Sequence, residues 1–215
     1  QRFPQSTILV TAHTDETGPA KFDLYYGVKR AEAVGKALID RGVPGSRVVL
    51  RSVGSGYPMA RNVLDAAPNL VGQKMNRRVE IALATPADPL PIEVLVQRPP
   101  VSELMASGAF HAFEEATRGL FYKVEMATTR QILNNDAQGM FGDLMIESQP
   151  GTGAYQYTAG LFRQHSQAAQ LRKELQQQGF ADATVVAYLS GIRISKAEAV
   201  GWLKKWPDLA GYIKG

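Results

Sequence analysis

The stretch Ile8-Leu9-Val10-Thr11-Ala12-His13-Thr14-Asp15-Glu16-Thr17-Gly18, with the helix-patterned run behind it, decides how this chain is read. Ile8, Leu9 and Val10 have the length and β-branched character of a buried strand. The strand gives way to a polar turn from Thr14 to Pro19, where Gly18 and Pro19 break regular structure. From Phe22 to Arg41 the apolar residues Leu24, Val28, Ala31, Val34 and Leu38 recur at helical spacing, and Gly42 supplies the stop. A carboxylate, Asp15, therefore stands just past the carboxyl end of a strand, and a guanidinium, Arg30, comes from the second or third turn of the next helix. Arginine grips a carboxylate in a planar fork and aspartate takes an ammonium, so the two groups can converge on one small zwitterion. Spacing alone leaves a second reading open, in which Asp15 and Arg30 are a structural ion pair with each other.

Working outward, Gly42-Val43 closes the helix, Ser46-Arg47-Val48 opens a strand running to Ser52, and Gly54-Ser55-Gly56-Tyr57-Pro58 begins a loop. Asn76-Arg77-Arg78 then leads into Val79-Glu80-Ile81-Ala82-Leu83, an alternating strand that closes a sheet. Together with Ala12 to Gly18 and Arg30-Ala31-Glu32-Ala33-Val34, these blocks in this order resemble the OmpA-like peptidoglycan-binding domain. The resemblance spans residues 1–84 and implies an α/β sandwich with a mixed sheet. It implies non-covalent binding of the diaminopimelate residue in peptidoglycan stem peptides. Asp15 and Arg30 fall on the family's ligand-clamping Asp and Arg, with Thr14 and Asp23 as further ligand-binding positions. The Asn76, Arg77 and Arg78 triplet falls on a motif that is structural first, tying the loop before the last strand.

Two departures from the family stand out. Asp23 occupies a position where the family usually has Asn, and Tyr26-Gly27 replaces a Leu-Ser pair. An extra negative charge helps beside an ammonium and hurts beside a carboxylate. The family's domain also begins with a strand and helix ahead of the Ile8 strand, and this chain starts at Gln1. The expectation is that the chain belongs to a longer polypeptide, because a sheet lacking those elements exposes an edge and an apolar face.

Composition sets wider limits. With 215 residues the chain can form two small domains or one larger one, and 45% hydrophobic residues describe an ordinary globular protein. The net charge of +4 suits an anionic polymer. The Lys and Arg are scattered and no nucleic-acid module is recognisable, so nucleic acid is not expected as a partner. The absence of cysteine removes disulfides, zinc-cysteine sites and thiol catalysis. His13 and Asp15 make a poor metal site without a third ligand. Gly54-Ser55-Gly56 and Gly151-Thr152-Gly153 lack the lysine of a phosphate loop, and no Ser/His/Asp arrangement reads as a triad. The expectation is a non-catalytic binding protein without metal or cofactor. No signal peptide or transmembrane run is recognisable, so membrane attachment is expected only through upstream residues.

From residue 85 to 119 prolines at 86, 89, 91, 99 and 100 mark a linker, in which Pro91 to Gln97 reads as an edge strand. Ser102 to Gly119 reads as containing a short helix in which Phe110 and Phe113 pack, with His111 beside them as a surface or packing residue. Residues 120–194 carry two alternating segments, Phe121 to Ala127 and Ala154 to Phe162. A helix follows the second, with Ser166 as N-cap and Gly179 at its end, and then strands at Ala183–Tyr188 and Ile192–Ile194. This order resembles the SPOR domain, a small ferredoxin-like antiparallel sheet with helices, although Asn134-Asn135-Asp136 and nearby glycines interrupt its first helix. The resemblance implies glycan binding on the sheet face, with Tyr122, Tyr155, Tyr157 and Tyr188 as candidate stacking residues and a core role as the alternative for each. In the tail, 195–215, Ser195-Lys196-Ala197-Glu198 reads as a capping box opening a helix through Lys205, with Trp202 and Trp206 as packing residues.

The fold class expected is therefore α+β. The function implied is anchoring of an outer-membrane protein or complex to peptidoglycan, in the periplasm of a Gram-negative bacterium. The alternative is a scaffold subunit of an outer-membrane assembly whose two modules mainly contact proteins.

Overall fold

The computed structural model describes residues 3–18, 20–86, 113–132 and 141–215. The expected edge strand at Pro91 to Gln97, and Phe110 and His111, lie outside the described residues, as do 133–140 of the interrupted SPOR-like helix. In the first half the strands are β1 (Thr7–Ala12), β2 (Val48–Ser52), a small ribbon of β3 (Val63–Leu64) and β4 (Ala67–Pro68), and β5 (Val79–Ala84). In the second half they are β6 (Leu120–Thr129), β7 (Met145–Ser148), β8 (Tyr155–Phe162), β9 (Thr184–Leu189) and β10 (Ile192–Ile194). The helices are α1 (Ala20–Ile39), α2 (Leu70–Asn76), α3 (Phe113–Ala116), α4 (His165–Gln177), α5 (Lys196–Val200) and α6 (Leu209–Lys214).

The mixed α+β architecture expected from the sequence is present, with one change of plan. The two sheets are not separate. All strands except the β3–β4 ribbon belong to one eight-stranded sheet, in the order β10-β9-β6-β8-β7-β2-β1-β5. The run β9-β6-β8-β7 has the order of a ferredoxin-like sheet, and β1 lies parallel to β2 and antiparallel to β5. The seam is β7, which pairs antiparallel with β8 on one side and with β2 on the other, Arg51 lying opposite Glu147. Strand β2 has a free hydrogen-bonding edge after pairing with β1, and β7 satisfies it. The outer strand β5 carries Ile81 and Leu83 exposed.

Helix α1 lies close on β1 and β2 because two glycines face them. A Cβ on Gly27 would collide with the Ser52 side chain, and one on Gly35 would meet Leu50 Cδ2 at 2.5 Å. Its buried face (Leu24, Val28, Ala31) matches the helical spacing read from the sequence. The end at Gly42 is a Schellman motif: Gly42 N–H donates to Ile39 O at 2.8 Å and Val43 N–H to Leu38 O at 3.2 Å, with Gly42 at φ 88°. The same motif ends α4 at Gly179, where Gly179 N–H donates to Gln176 O and Phe180 N–H to Leu175 O.

Two expected helix boundaries are corrected. Ser166 lies inside the first turn of α4; Gln164 is the N-cap residue, without a side-chain cap, and the Asp208 carboxylate accepts from His165 N–H at 2.7 Å. The tail helix does not reach Lys205. Its capping box forms as expected, Ser195 Oγ accepting from Glu198 N–H and Glu198 Oε2 from Ser195 N–H, but α5 stops at Val200 and turns lead to α6. Trp202 and Trp206 pack, partly buried, against the core under α4 to α6. That core also holds Leu24 and Val28 of α1, so the two halves share it. The other face of the β6–β9 region is covered by Val53, Tyr57 and Phe113.

Candidate functional site

The end of β1 is held open as a platform for Asp15. Beyond Ala12 the ladder continues irregularly: His13 N–H donates to Arg78 O at 2.9 Å and Thr14 N–H to Gly54 O at 2.9 Å. These bonds fix the backbone on both sides, so Asp15 projects from the strand tip as the sequence implied. Glu16 then turns the chain at φ 59°, and Thr17 folds back so that its hydroxyl donates to Asp15 Oδ1 at 2.8 Å.

Arg30, in the third turn of α1, reaches the same strand tip and donates from Nη1 to the His13 carbonyl at 2.8 Å. The ion pair between Asp15 and Arg30 that spacing left open does not form. The remaining guanidinium donors of Arg30 make no hydrogen bond or ion pair among the described residues. Asp15, 6% exposed, is instead ion-paired with Arg77. Burial pushes its carboxyl up, but the hydrogen bonds from Thr17 and Arg77 outweigh this and hold it below the ordinary Asp value.

Asp23 lies at the opening of α1, where Ser55 Oγ donates to its carboxylate at 3.1 Å. Burial, reinforced by the charges of Asp15 and Glu16, raises its carboxyl above the ordinary value, against the pull of the Ser55 hydrogen bond. The Thr14 hydroxyl is buried beside it, outside hydrogen-bond geometry. The site is thus a cluster of carboxylates (Asp15, Asp23, Glu16) at one end and a partly unpaired guanidinium at the other. Carboxylates and a guanidinium have the chemistry to take an ammonium and a carboxylate respectively.

The Asn76 to Arg78 triplet is architectural in detail. Asn76, fully buried, uses its whole amide: Oδ1 accepts from Met59 N–H (2.8 Å) and Ala60 N–H (3.0 Å), and Nδ2 donates to Ala60 O and Asn62 Oδ1 (2.8 Å each). Arg78 donates to Glu80 Oε1 at 2.8 Å and Tyr57 O at 3.1 Å. Arg77 alone turns toward the site. Its role as the resident counter-ion of Asp15 was not read from the sequence, because nothing across a separation of 62 positions marks the pairing.

The four tyrosines proposed for glycan stacking are placed otherwise. Tyr122 and Tyr157 are buried in the core beneath the helices. Tyr188 is buried on the opposite face, stacked on Phe121 at 4.8 Å and 6°. No ring face of these three is open to a sugar, so the core alternative describes them. Tyr155 is partly exposed, but its hydroxyl is held by Glu32 of α1 at 2.6 Å, bridging the halves. Sequence reading also missed the charges inside this region. Arg51 and Glu147 form a buried pair at 2.7 Å, and buried Lys123 donates to the Asp143 and Gly160 carbonyls at 2.5 and 2.6 Å. Desolvation brings Lys123 down to about 7. Alternation places Lys123 on the inner face, the one signal that could have found it.

Among the described residues no cluster of three His, Asp or Glu side chains is suited to hold a metal ion. No helix among them is long and apolar enough to cross a membrane.

Residues 1–69 match the OmpA family. Among characterised relatives, the probable lipoprotein YiaD of Escherichia coli (strain K12) is 33% identical over 84 residues, which cover 39% of this chain and 36% of that protein. The peptidoglycan-associated lipoprotein of Brucella melitensis is 40% identical over 60 residues, 28% of this chain and 36% of that protein. The peptidoglycan-binding protein ArfA of Mycobacterium bovis is 34% identical over 80 residues, 37% and 23% of the two chains. The alignments therefore span little more than a third of these relatives' lengths at most.

Proposed function

We propose that the chain binds peptidoglycan without catalysis, taking the diaminopimelate residue of a stem peptide at the strand-tip site. The observation that carries the reading is the Arg30 guanidinium, oriented by the His13 carbonyl and otherwise unpaired among the described residues, on the strand tip that also carries the buried carboxylate of Asp15. The ligand's free carboxylate takes the fork of Arg30, and its ammonium takes Asp15, with Asp23 as a second acceptor. The names of relatives matched over the first half point the same way. In this reading residues 1–84 are the wall-binding unit, anchoring an outer-membrane protein or complex from the periplasmic side, and residues 120–194 are a SPOR-like unit.

A second reading concerns only that later unit, and the burial of Tyr122, Tyr157 and Tyr188 favours it. Its sheet is spent on packing against the first half, so it acts as a brace or protein-docking unit instead of a glycan reader, as in a scaffold subunit.

Sedimentation with isolated cell-wall sacculi tests the main reading. Charge-assisted hydrogen bonds contribute roughly 1.5–3 kcal/mol, so Arg30→Ala lowers affinity by at least about tenfold, whereas Asp15→Ala, whose carboxylate is already paired with Arg77, lowers it by less. Wild-type retention by Arg30→Ala, with an unchanged circular dichroism spectrum, overturns the assignment of the site.

A further inference from the structure

We infer that Tyr26 is a second contact for the same ligand, stacking on a sugar ring next to the stem peptide; this rests on the wall-binding reading above. Asp23, Tyr26 and Arg30 are spaced i, i+3 and i+7 along α1, so the tyrosine stands on the site's own face of the helix, one turn from each. Its side chain is 53% exposed, an unusual amount for a ring flanking two site residues. It is also braced from two sides. The Phe22 ring lies 6.0 Å away at 46° and the Tyr25 ring 5.5 Å away in edge-to-face contact, while Lys29 sits 5.9 Å above Tyr25 and is tied to Glu32 at 2.8 Å. A braced, exposed ring loses little side-chain freedom on binding, which is what a stacking platform requires.

The neighbouring residue explains why the platform sits at position 26. Gly27 faces β2 so closely that a Cβ would strike Ser52. That contact fixes the helix's rotation and turns Tyr26 outward along the rim. Next to a site that holds the charged end of a stem peptide, the partner for an uncharged aromatic face is the uncharged part of the same polymer. A pyranose ring fits: it offers an apolar C–H face to the ring, while its hydroxyls and those of the tyrosine stay in water.

Calorimetric titration with two soluble ligands tests this: a diaminopimelate-containing stem peptide, and the same peptide carrying its disaccharide. The wild type is expected to bind the disaccharide form about three- to tenfold more tightly than the bare peptide. Tyr26→Ala abolishes that difference and leaves the bare-peptide affinity unchanged, whereas Tyr26→Phe preserves it. Equal wild-type affinity for the two ligands overturns the inference and leaves the strand-tip site standing. Tyr26→Ala weakening both ligands equally also overturns it. Failure of the wild type to bind either ligand removes the underlying wall-binding reading.

Discussion

The contact that makes two halves into one sheet is also the one whose removal is easiest to quantify. Arg51 on β2 is 2% exposed and donates from Nε to Glu147 Oε2 on β7 at 2.7 Å, with a second donor on the Gly191 carbonyl. Its guanidinium lies 5.7 Å from the Tyr188 ring. Breaking a buried pair by removing one partner leaves the other charge without compensation and costs about 3–5 kcal/mol. The Arg51→Met change also abandons Gly191 O and the tyrosine face, so it belongs at the upper end of that range. Glu147→Gln keeps an acceptor for Arg51 and belongs at the lower end. Replacing both with Met and Leu of similar volume removes the unpaired charge altogether, and the double variant is expected within about 1–2 kcal/mol of wild type.

Urea unfolding followed by two probes measures this. Both tryptophans, Trp202 and Trp206, lie beyond β10 and report on the second half only, whereas circular dichroism reports on both halves. The shared core of α1 with the second half requires the two curves to coincide in the wild type. Single variants within about 0.5 kcal/mol of wild type would refute the reasoning about the buried pair. Tryptophan and dichroism transitions that separate in the wild type would refute the cooperative unit itself.

Two further outcomes follow from the site's supports. Asn76→Ala leaves the buried Ala60 N–H and carbonyl and the half-buried Met59 N–H without their partner, so it is expected to destabilise by about 3 kcal/mol, read as a lower urea midpoint at unchanged slope. Stability is expected to fall as pH drops below about 6.5, because burial lowers the His13 pKa and the unfolded chain then binds the extra proton. It falls further below pH 4.5, because Glu80, despite its burial, is held at about 2 chiefly by His13 and Arg78, while the raised Asp23 opposes the trend. His13→Gln is expected to remove the first of these losses in melts between pH 7 and 5, and an unchanged slope there refutes the assignment.

What the sequence made legible was local. The β1 run, the Gly42 and Gly179 helix ends and the Ser195 capping box are each decided by a few adjacent residues, and each is found where expected. Placing Asp15 at a strand tip needed no more than that. The pairing of β2 with β7 was not legible, because strand partnership depends on which edge lies free after distant segments have folded. The fate of the tyrosines was illegible for a related reason. The register that sets Tyr188 opposite Phe121 points Tyr122 and Tyr188 to opposite faces of their sheet, and both faces are covered. Asp15 was paired with the wrong arginine in one of the readings left open, since nearness in sequence favoured Arg30 and the actual partner arrives on the strand turn at Arg77.

That exchange of partners bears on how a site of this kind balances its charges. A carboxylate as buried as Asp15 needs a cation at all times, and Arg77 supplies one before any ligand arrives. In the proposed wall-binding mode, the ammonium of the ligand therefore displaces or shares an existing pairing, and its contribution is the difference between two similar interactions. The carboxylate of the same ligand meets Arg30, whose remaining donors face no competing protein group among the described residues. Its contribution is nearly the whole of a charge-assisted hydrogen bond. On this reasoning the two clamp residues are unequal: Arg30 supplies most of the affinity, and Asp15 together with Asp23 supplies the discrimination against guests that lack an ammonium, since a second carboxylate held so close would be repelled.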